Sequence, residues 1–302
     1  MMRLLITGRE GQLARSLAER AAGQEGLELS FAERPEVDLE RPGSVAAAIV
    51  AMRPDVVINA AAYTDVDRAE DEPERAYRIN AEAAGEAAQA AAAVGAAIIQ
   101  LSTDYVFNGQ ASAPYREDDP TGPINVYGTS KLAGEEQVRA ANDRHIILRT
   151  SWLVGPFGRN FVKTMLRLAK ERDEIRVVDD QCGTPTSTLM LADALFAVTE
   201  RWCDPGRMEL GLGQTFHVAG RGACSWAELA EQVMRASASA GGDSARIVPI
   251  ASTNYPTRAK RPACSALDTG RFERIFPFPL ESWQPMTARL VERLIKSESP
   301  LR

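Results

Sequence analysis

The 302-residue sequence predicts an α/β fold: a doubly wound parallel sheet followed by a smaller, mainly C-terminal α/β lobe. Three observations predict it. Through residue 150, short β-branched or Leu-rich runs alternate with Ala-rich stretches of helical length, the pattern of buried parallel strands joined by crossover helices. A glycine-bearing turn directly follows the first run. Beyond residue 150 the alternation becomes irregular and Pro-rich, as expected of a second unit built differently. Residues 1–150 should therefore form the main domain, with later segments returning to it, and residues 151–302 mainly a lobe that shapes a ligand site.

The first strand is read at residues 3–7. The turn after it, Thr7-Gly8-Arg9-Glu10-Gly11-Gln12-Leu13-Ala14, lets the backbone bend sharply and approach a pyrophosphate at the start of a helix over residues 12–22. A glycine turn alone is a weak signal. Its place directly after the first strand favours dinucleotide binding and a Rossmann-type sheet over a plain turn. Ala14 stands where a third glycine is usual, and its small side chain still permits close helix–strand packing.

The second strand is read at residues 27–31 and ends without the acid that would hold ribose hydroxyls and reject a 2′-phosphate. Glu33 and Arg34 follow, and an arginine there can grip a 2′-phosphate, so NADPH should be accepted at least as well as NADH. Asp38 and Leu39 come next, either beside the adenine or, for Asp38, as a helix cap. A helix over residues 42–52 leads to a strand at 55–59. The small residues of Asn59-Ala60-Ala61-Ala62-Tyr63-Thr64 then allow the chain to skirt a cofactor. A helix over 74–93, a strand at 97–101, a helix over 127–141 and a strand at 145–149 complete the alternation.

In the second half, a helix is expected at 160–172, a strand at 175–178 and a helix at 188–202. The low-complexity stretch 236–244, Ala-Ser-Ala-Ser-Ala-Gly-Gly-Asp-Ser, reads as a loop. Glu171-Arg172-Asp173-Glu174 reads as a solvated helix end.

Composition narrows the function. A hydrophobic share of 45%, a charged share of 25% and a net charge of −6 describe an ordinary soluble protein with no overall attraction to nucleic acid or anionic membranes. No apolar run approaches the ~18 residues of a membrane span, and the N-terminus lacks a signal-like pattern, so a cytoplasmic location is expected. Cys182, Cys203, Cys224 and Cys264 contain no CxxC pair, which argues against a zinc knuckle or redox motif. His145 and His217 sit in apolar runs and read as packed strand residues. No metal site is expected.

The chemistry lies in two tracts, Leu101-Ser102-Thr103-Asp104-Tyr105-Val106-Phe107 and Asn125-Val126-Tyr127-Gly128-Thr129-Ser130-Lys131. Tyr127 and Lys131 are spaced to share one helix face. A phenol titrates near pH ~10, so a nearby ammonium that stabilises its phenolate makes it a usable acid. Thr103 follows an apolar strand, where α/β ligands gather, although a lone threonine there is also an ordinary turn residue.

In these tracts the chain resembles the dTDP-4-dehydrorhamnose reductase family of the extended short-chain dehydrogenase/reductase superfamily. The resemblance runs from Gly8 to about Ser265. Its further carriers are Arg149-Thr150-Ser151-Trp152, Asn160-Phe161-Val162, Asp180-Gln181-Cys182-Gly183-Thr184-Pro185-Thr186 and Arg261-Pro262-Ala263-Cys264-Ser265. It implies reduction of a dTDP-linked 4-keto sugar by NADPH or NADH, with Tyr127 as proton donor, Lys131 as its partner and Thr103 as the hydroxyl touching both acid and sugar. Asp104 and Trp152 match sugar contacts. Gly11, Gln12, Leu13, Asp38, Leu39, Ala62, Tyr63 and Thr64 match cofactor-binding positions, joined by Gly8, Tyr127 and Lys131. Some members carry Glu where Ser16 stands, and that Glu helps hold Mg²⁺ at a dimer interface. A serine offers no carboxylate, which implies a monomer or a metal-free homodimer.

Trp152 also suits packed core. Arg261, within Arg258-Ala259-Lys260-Arg261, reads as a surface charge or, since three cations gather in an acidic protein, as a diphosphate contact. Gln181 and Thr186 are candidate sugar contacts or plain loop polars. Two other functions compete: an epimerase or dehydratase of the same superfamily, which would regenerate its cofactor, and an idle NADP-binding regulatory subunit, which would need no proton donor.

Overall fold

In the computed structural model the described residues are 1–298 except 23, 25, 204–205 and 207–208. The first half reads β1 (Met2–Thr7), α1 (Gln12–Ala21), β2 (Leu27–Ala32), α2 (Ser44–Met52), β3 (Val56–Asn59), α3 (Val66–Ala69), α4 (Pro73–Tyr77), α5 (Ala83–Ala93), β4 (Ala97–Thr103), α6 (Val126–Ala141) and β5 (His145–Thr150). The second half reads β6 (Leu153–Val154), α7 (Phe161–Ala169), β7 (Glu174–Val178), β8 (Cys182–Gly183), β9 (Thr186–Ser187), α8 (Thr188–Trp202), β10 (Gln214–His217), β11 (Cys224–Ser225), α9 (Trp226–Ser239), β12 (Arg246–Ile250), α10 (Gly270–Ile275) and α11 (Trp283–Glu298).

Six parallel strands form the central sheet in the order β10-β5-β4-β3-β1-β2. The α/β doubly wound class read from the sequence is the one observed. Every residue of β3, β4 and β5 is buried, because helices cover both faces, and this is why those strands are near-continuous apolar runs rather than alternating ones. The order reverses between β1 and β3, and a crevice opens there at the strand carboxyl ends. β10 comes from far along the chain and pairs with β5 at the sheet edge, Phe216 opposite Leu148. His145 and His217 lie buried in β5 and β10, each ring bonded to backbone carbonyl.

Helix starts are fixed by side-chain caps. Asn125 accepts from Gly128 N–H at 2.7 Å and starts α6; Asn160 caps α7, Ser187 caps α8, and Ser225 with Glu228 forms a reciprocal capping box on α9. The helix read across 74–93 is interrupted by a π turn at Arg78–Glu82 between α4 and α5. The turn carries Asn80, whose amide donates to Tyr63 O at 3.1 Å and Ser130 Oγ at 3.0 Å, tying the chain after β3 to α6. Gly134 on α6 meets this turn, and a Cβ there would be driven into the Asn80 carbonyl. Gly134→Ala is therefore expected to destabilise the protein by about 1–3 kcal/mol through overpacking against backbone that cannot yield. Urea unfolding should show a lowered midpoint with an unchanged slope.

Two expectations fail in the second half: α7 stops at Ala169, so that Glu174, read as part of a helix end, opens β7, and the loop read at 236–244 starts too early. Residues 236–239, read as part of a loop, complete the last turn of α9. Alanine is the strongest helix former, and Ser237 is buried with its hydroxyl donating to the Asp243 carbonyl, so low complexity here does not mean irregular backbone. A second feature had no signal in cysteine spacing: Cys182 and Cys264 are joined by a disulfide that spans 82 residues and links β8 to the C-terminal segment.

Candidate functional site

A cleft of about 910 Å³ opens above the carboxyl ends of β1, β3, β4 and β5. At one end it is lined by Gly8, Gly11, Gln12 and Leu13 of the first turn, with Leu39, Ala62 and Thr64 beside them. Gly8 has φ +77°, a left-handed conformation open to glycine at little cost. A Cβ at Gly11 would meet nothing within 4 Å, and no side chain caps the start of α1. Glycine backbone, open space and uncapped helix amides together make a fitting cradle for a dinucleotide pyrophosphate.

From this cradle a buried polar ladder crosses the strand ends. Thr7 Oγ1 accepts from Ala61 N–H at 3.0 Å and donates to Asn59 Oδ1 at 2.7 Å; Asn59 Nδ2 donates to Gln100 Oε1 at 2.6 Å, and Gln100 Nε2 to Leu101 O at 2.9 Å. The same Leu101 carbonyl accepts from Lys131 Nζ at 2.7 Å. The ladder therefore fixes the lysine at the cleft wall through a backbone atom of β4.

Tyr127, Lys131, Thr103 and Asp104 all line the cleft. Tyr127 and Lys131 come from the first two turns of α6, and Thr103 ends β4. Burial pushes the Tyr127 phenol up to about 12, aided by the Asp104 charge and opposed by a hydrogen bond with Thr103. Burial lowers Lys131 to about 8, with Glu135 opposing. Burial therefore sets the Tyr127 shift while one Lys131 N–H is given to Leu101 O, and the phenol stays protonated at neutral pH. That form is the one able to give a proton.

Asp104 is 3% exposed, and its carboxylate is satisfied from within. Oδ1 accepts from Thr103 Oγ1 at 3.1 Å, while Oδ2 accepts from Ser151 Oγ at 3.0 Å and from Ser265 Oγ. Below this level Glu135, fully buried, receives two bonds from Arg149, at 2.9 and 2.8 Å, one from Arg139 at 2.8 Å and one from Ser102.

The wall from the second half is aromatic. Trp152 stacks on Trp226 with ring centroids 3.4 Å apart and planes 6° apart. Its backbone holds φ +42°, costly for a bulky residue, and Gly183 presses on the indole where any Cβ would clash. The disulfide reaches the site from both sides: Gly183, beside Cys182, touches Trp152, and Ser265, beside Cys264, touches Asp104. Across the cleft, Asn160 Nδ2 donates to Gln12 Oε1 at 2.9 Å, joining the start of α7 to the first turn.

Several residues expected in the site lie outside the cleft lining. Asp38 is occupied by Glu40 N–H and the Arg34 side chain. Tyr63 points its phenol away to Glu72, at 3.1 Å. Thr186 is fully buried and holds the Thr184 carbonyl and Gly220 N–H. Gln181 stands half-buried between β7 and β8. Arg261 pairs with Asp67 at 2.7 Å and lies over the Tyr105 ring, while Arg258 pairs with Asp71. Two of the three cations are thus matched by carboxylates of α3 and the turn after it. Conversely, Trp226, Ser151 and Ser265 belong to the site and were not picked out. Ser151 and Ser265 lie inside quoted tracts, whereas Trp226 carried no sequence signal.

Comparison with known proteins agrees with this geometry. A sequence model of the family described as the RmlD substrate binding domain matches residues 2–296. The chain is 43% identical to a dTDP-4-dehydrorhamnose reductase of Sinorhizobium fredii over 295 residues, 97% of this chain and 98% of that one. Among solved structures it resembles a dTDP-4-dehydrorhamnose reductase of Clostridium acetobutylicum, with a TM-score of 0.89 and 37% identity over 97% of this chain and 100% of that one. It also resembles the Bacillus anthracis reductase in complex with NADP, with a TM-score of 0.87 and 35% identity over 98% and 99% of the two chains.

Proposed function

The chain belongs to the RmlD substrate binding domain family, and from that premise we propose that it reduces the C4 carbonyl of dTDP-4-dehydro-β-L-rhamnose to give dTDP-β-L-rhamnose. It is an NAD(P)H-dependent oxidoreductase of dTDP-rhamnose biosynthesis. The observation that carries the site assignment is the convergence of a protonated, half-buried phenol at Tyr127, the Thr103 hydroxyl and the Lys131 ammonium at the end of a glycine-lined cleft.

The Gly8–Leu13 turn, Leu39, Ala62 and Thr64 would hold the dinucleotide, and Lys131 would reach its nicotinamide ribose. When bound, that group supplies the hydride. Tyr127 donates its proton to the alkoxide forming at C4, Thr103 hydrogen-bonds the same oxygen and stabilises its developing charge, and the Trp152 indole walls the sugar. Residues 1–150 carry the cofactor end, and residues 151–302 mainly the sugar end. Arg261 would meet a diphosphate only by leaving Asp67.

Ser16 is fully buried, donates to Gln12 O and bonds Thr188 Oγ1, so this position offers a metal no carboxylate, and the reading remains a monomer or a metal-free homodimer. Among the described residues no helix is long and apolar enough to cross a membrane.

The test is spectrophotometric. Absorbance at 340 nm should fall only when enzyme, NADPH and dTDP-4-dehydro-L-rhamnose generated in place are all present. Net consumption separates this reading from an epimerase or dehydratase, which regenerates its cofactor, and from an idle binding subunit. Arg9, Glu33 and Arg34 line the cleft mouth, and Arg34 is held at 3.2 Å from Asp38 and 3.0 Å from Glu40. NADPH is expected to give a kcat/KM at least equal to that of NADH, and a strong preference for NADH in parallel kinetics would refute a 2′-phosphate contact by Arg34.

A further inference from the structure

We propose that Asp104 is a positioning residue for this reduction: whether its carboxyl carries a proton decides which way the one proton of the Thr103 hydroxyl points, and thereby whether Thr103 holds back or releases the proton of Tyr127. The inference rests on the reading of Tyr127 as the acid.

It comes from counting hydrogen bonds. A threonine hydroxyl has one proton and two lone pairs. Around Thr103 Oγ1 stand the Tyr105 N–H, donating at 3.2 Å, and the Asp104 carboxyl at 3.1 Å, and the Tyr127 phenol lines the same stretch of cleft within its reach. With Asp104 ionised, the Thr103 proton is committed to Oδ1. The remaining lone pair then accepts from the Tyr127 O–H, so the proton required by the alkoxide is aimed into the protein. With Asp104 protonated, the carboxyl O–H donates to Thr103, whose own proton turns outward. It then supports the phenol oxygen or the sugar oxygen, and the Tyr127 proton is free to leave. Both arrangements satisfy every partner, and only the second favours proton donation in the direction of reduction.

Asp104 is suited to this role because its other oxygen is anchored in either state by Ser151 and Ser265, which leaves Oδ1 as the side that changes. Charged and titratable groups on the surrounding elements have other commitments. On α6, Lys131 bonds Leu101 O; Glu135 is bridged to Arg149 of β5; Arg261 is paired with Asp67 of α3. Tyr105 and Tyr127 are both pushed upward, chiefly by burial, and stay protonated. Burial also pushes Asp104 up to about 6, against the Ser265, Ser151 and Thr103 hydroxyls that favour its charge, so the two arrangements exchange within the range where the enzyme can be assayed.

The experiment is the pH dependence of kcat for NADPH oxidation by dTDP-4-dehydro-L-rhamnose, with NADPH binding measured alongside to show that each variant is folded. In the unaltered protein kcat should fall at least about fivefold from about pH 5.5 to about pH 7.5, as a group with a pKa near 6 loses its proton. In Asp104→Asn the amide N–H replaces the carboxyl O–H toward Thr103 and its carbonyl accepts from the two serines, so this limb should vanish. Ser265→Ala removes a donor to the ionised form and should move the limb to higher pH. An Asp104→Asn profile that keeps the limb, or a Ser265→Ala profile that leaves it in place, would overturn the proposal. Absence of turnover by the unaltered protein would instead defeat the functional reading on which it rests.

Discussion

Replacing Tyr127 by Phe is expected to lower kcat by at least about 10²-fold, the lower end for losing a general acid, while NADPH binding and the unfolding midpoint stay close to those of the parent. The substitution removes one oxygen. The ring keeps its edge-on contact with Tyr105, centroids 5.8 Å apart, and Thr103 keeps its bonds to Asp104 and Tyr105 N–H. No other described side chain on the cleft wall combines a proton held at neutral pH with a bond to Thr103. Turnover within a few-fold of the parent would remove Tyr127 from the mechanism and leave the site without an acid.

Replacing Glu135 by Ala should have the largest effect on stability, a loss of about 3–5 kcal/mol, because it strands a buried guanidinium. Arg149 is 3% exposed and Glu135 fully buried, so neither water nor a counter-ion can take the place of the lost carboxylate. Urea unfolding should show the drop. Substituting both residues by Met should recover most of it, since the cost lies in the unpaired charge and not in the lost attraction. Burial pushes Glu135 upward, yet Arg149, Ser102 and Arg139 outweigh it and hold the carboxyl below its usual value. A folded-state value below the unfolded one means that this stability is present above the ordinary carboxylate range and is lost as pH falls through the lowered value. The parent should therefore become acid-sensitive in a way the double Met variant does not share.

The sheet was legible because burial on both faces leaves strands such as Val56–Ile58 and Ile146–Leu148 as unbroken apolar runs. α8, read at 188–202, is found at Thr188–Trp202, where a capping serine and a long apolar face agree. The short pairings β6 with β9 and β8 with β11 were not legible. Two-residue strands have no periodicity to read, and they exist because distant segments meet. The tracts proposed to carry the chemistry were visible as residue types, with Tyr127 and Lys131 at a helical spacing. The anchoring of Asp104 was not: Ser151 and Ser265, 114 residues apart, both donate to one oxygen of its carboxylate. The Trp152–Trp226 stack and the Cys182–Cys264 pair were hidden for the same reason, since side chains brought together by tertiary closure leave no mark on local sequence.

The stacked indoles also give the molecule an optical label of its own. Two indoles 3.4 Å apart couple their electronic transitions, so the pair should contribute a distinct near-ultraviolet circular dichroism signal and quenched emission. Because both rings border the cleft, a guest that slides against or between them must change that coupling. Arrival of a nucleotide sugar can thus be watched in real time, in the native protein and without turnover, as a collapse or shift of the signal.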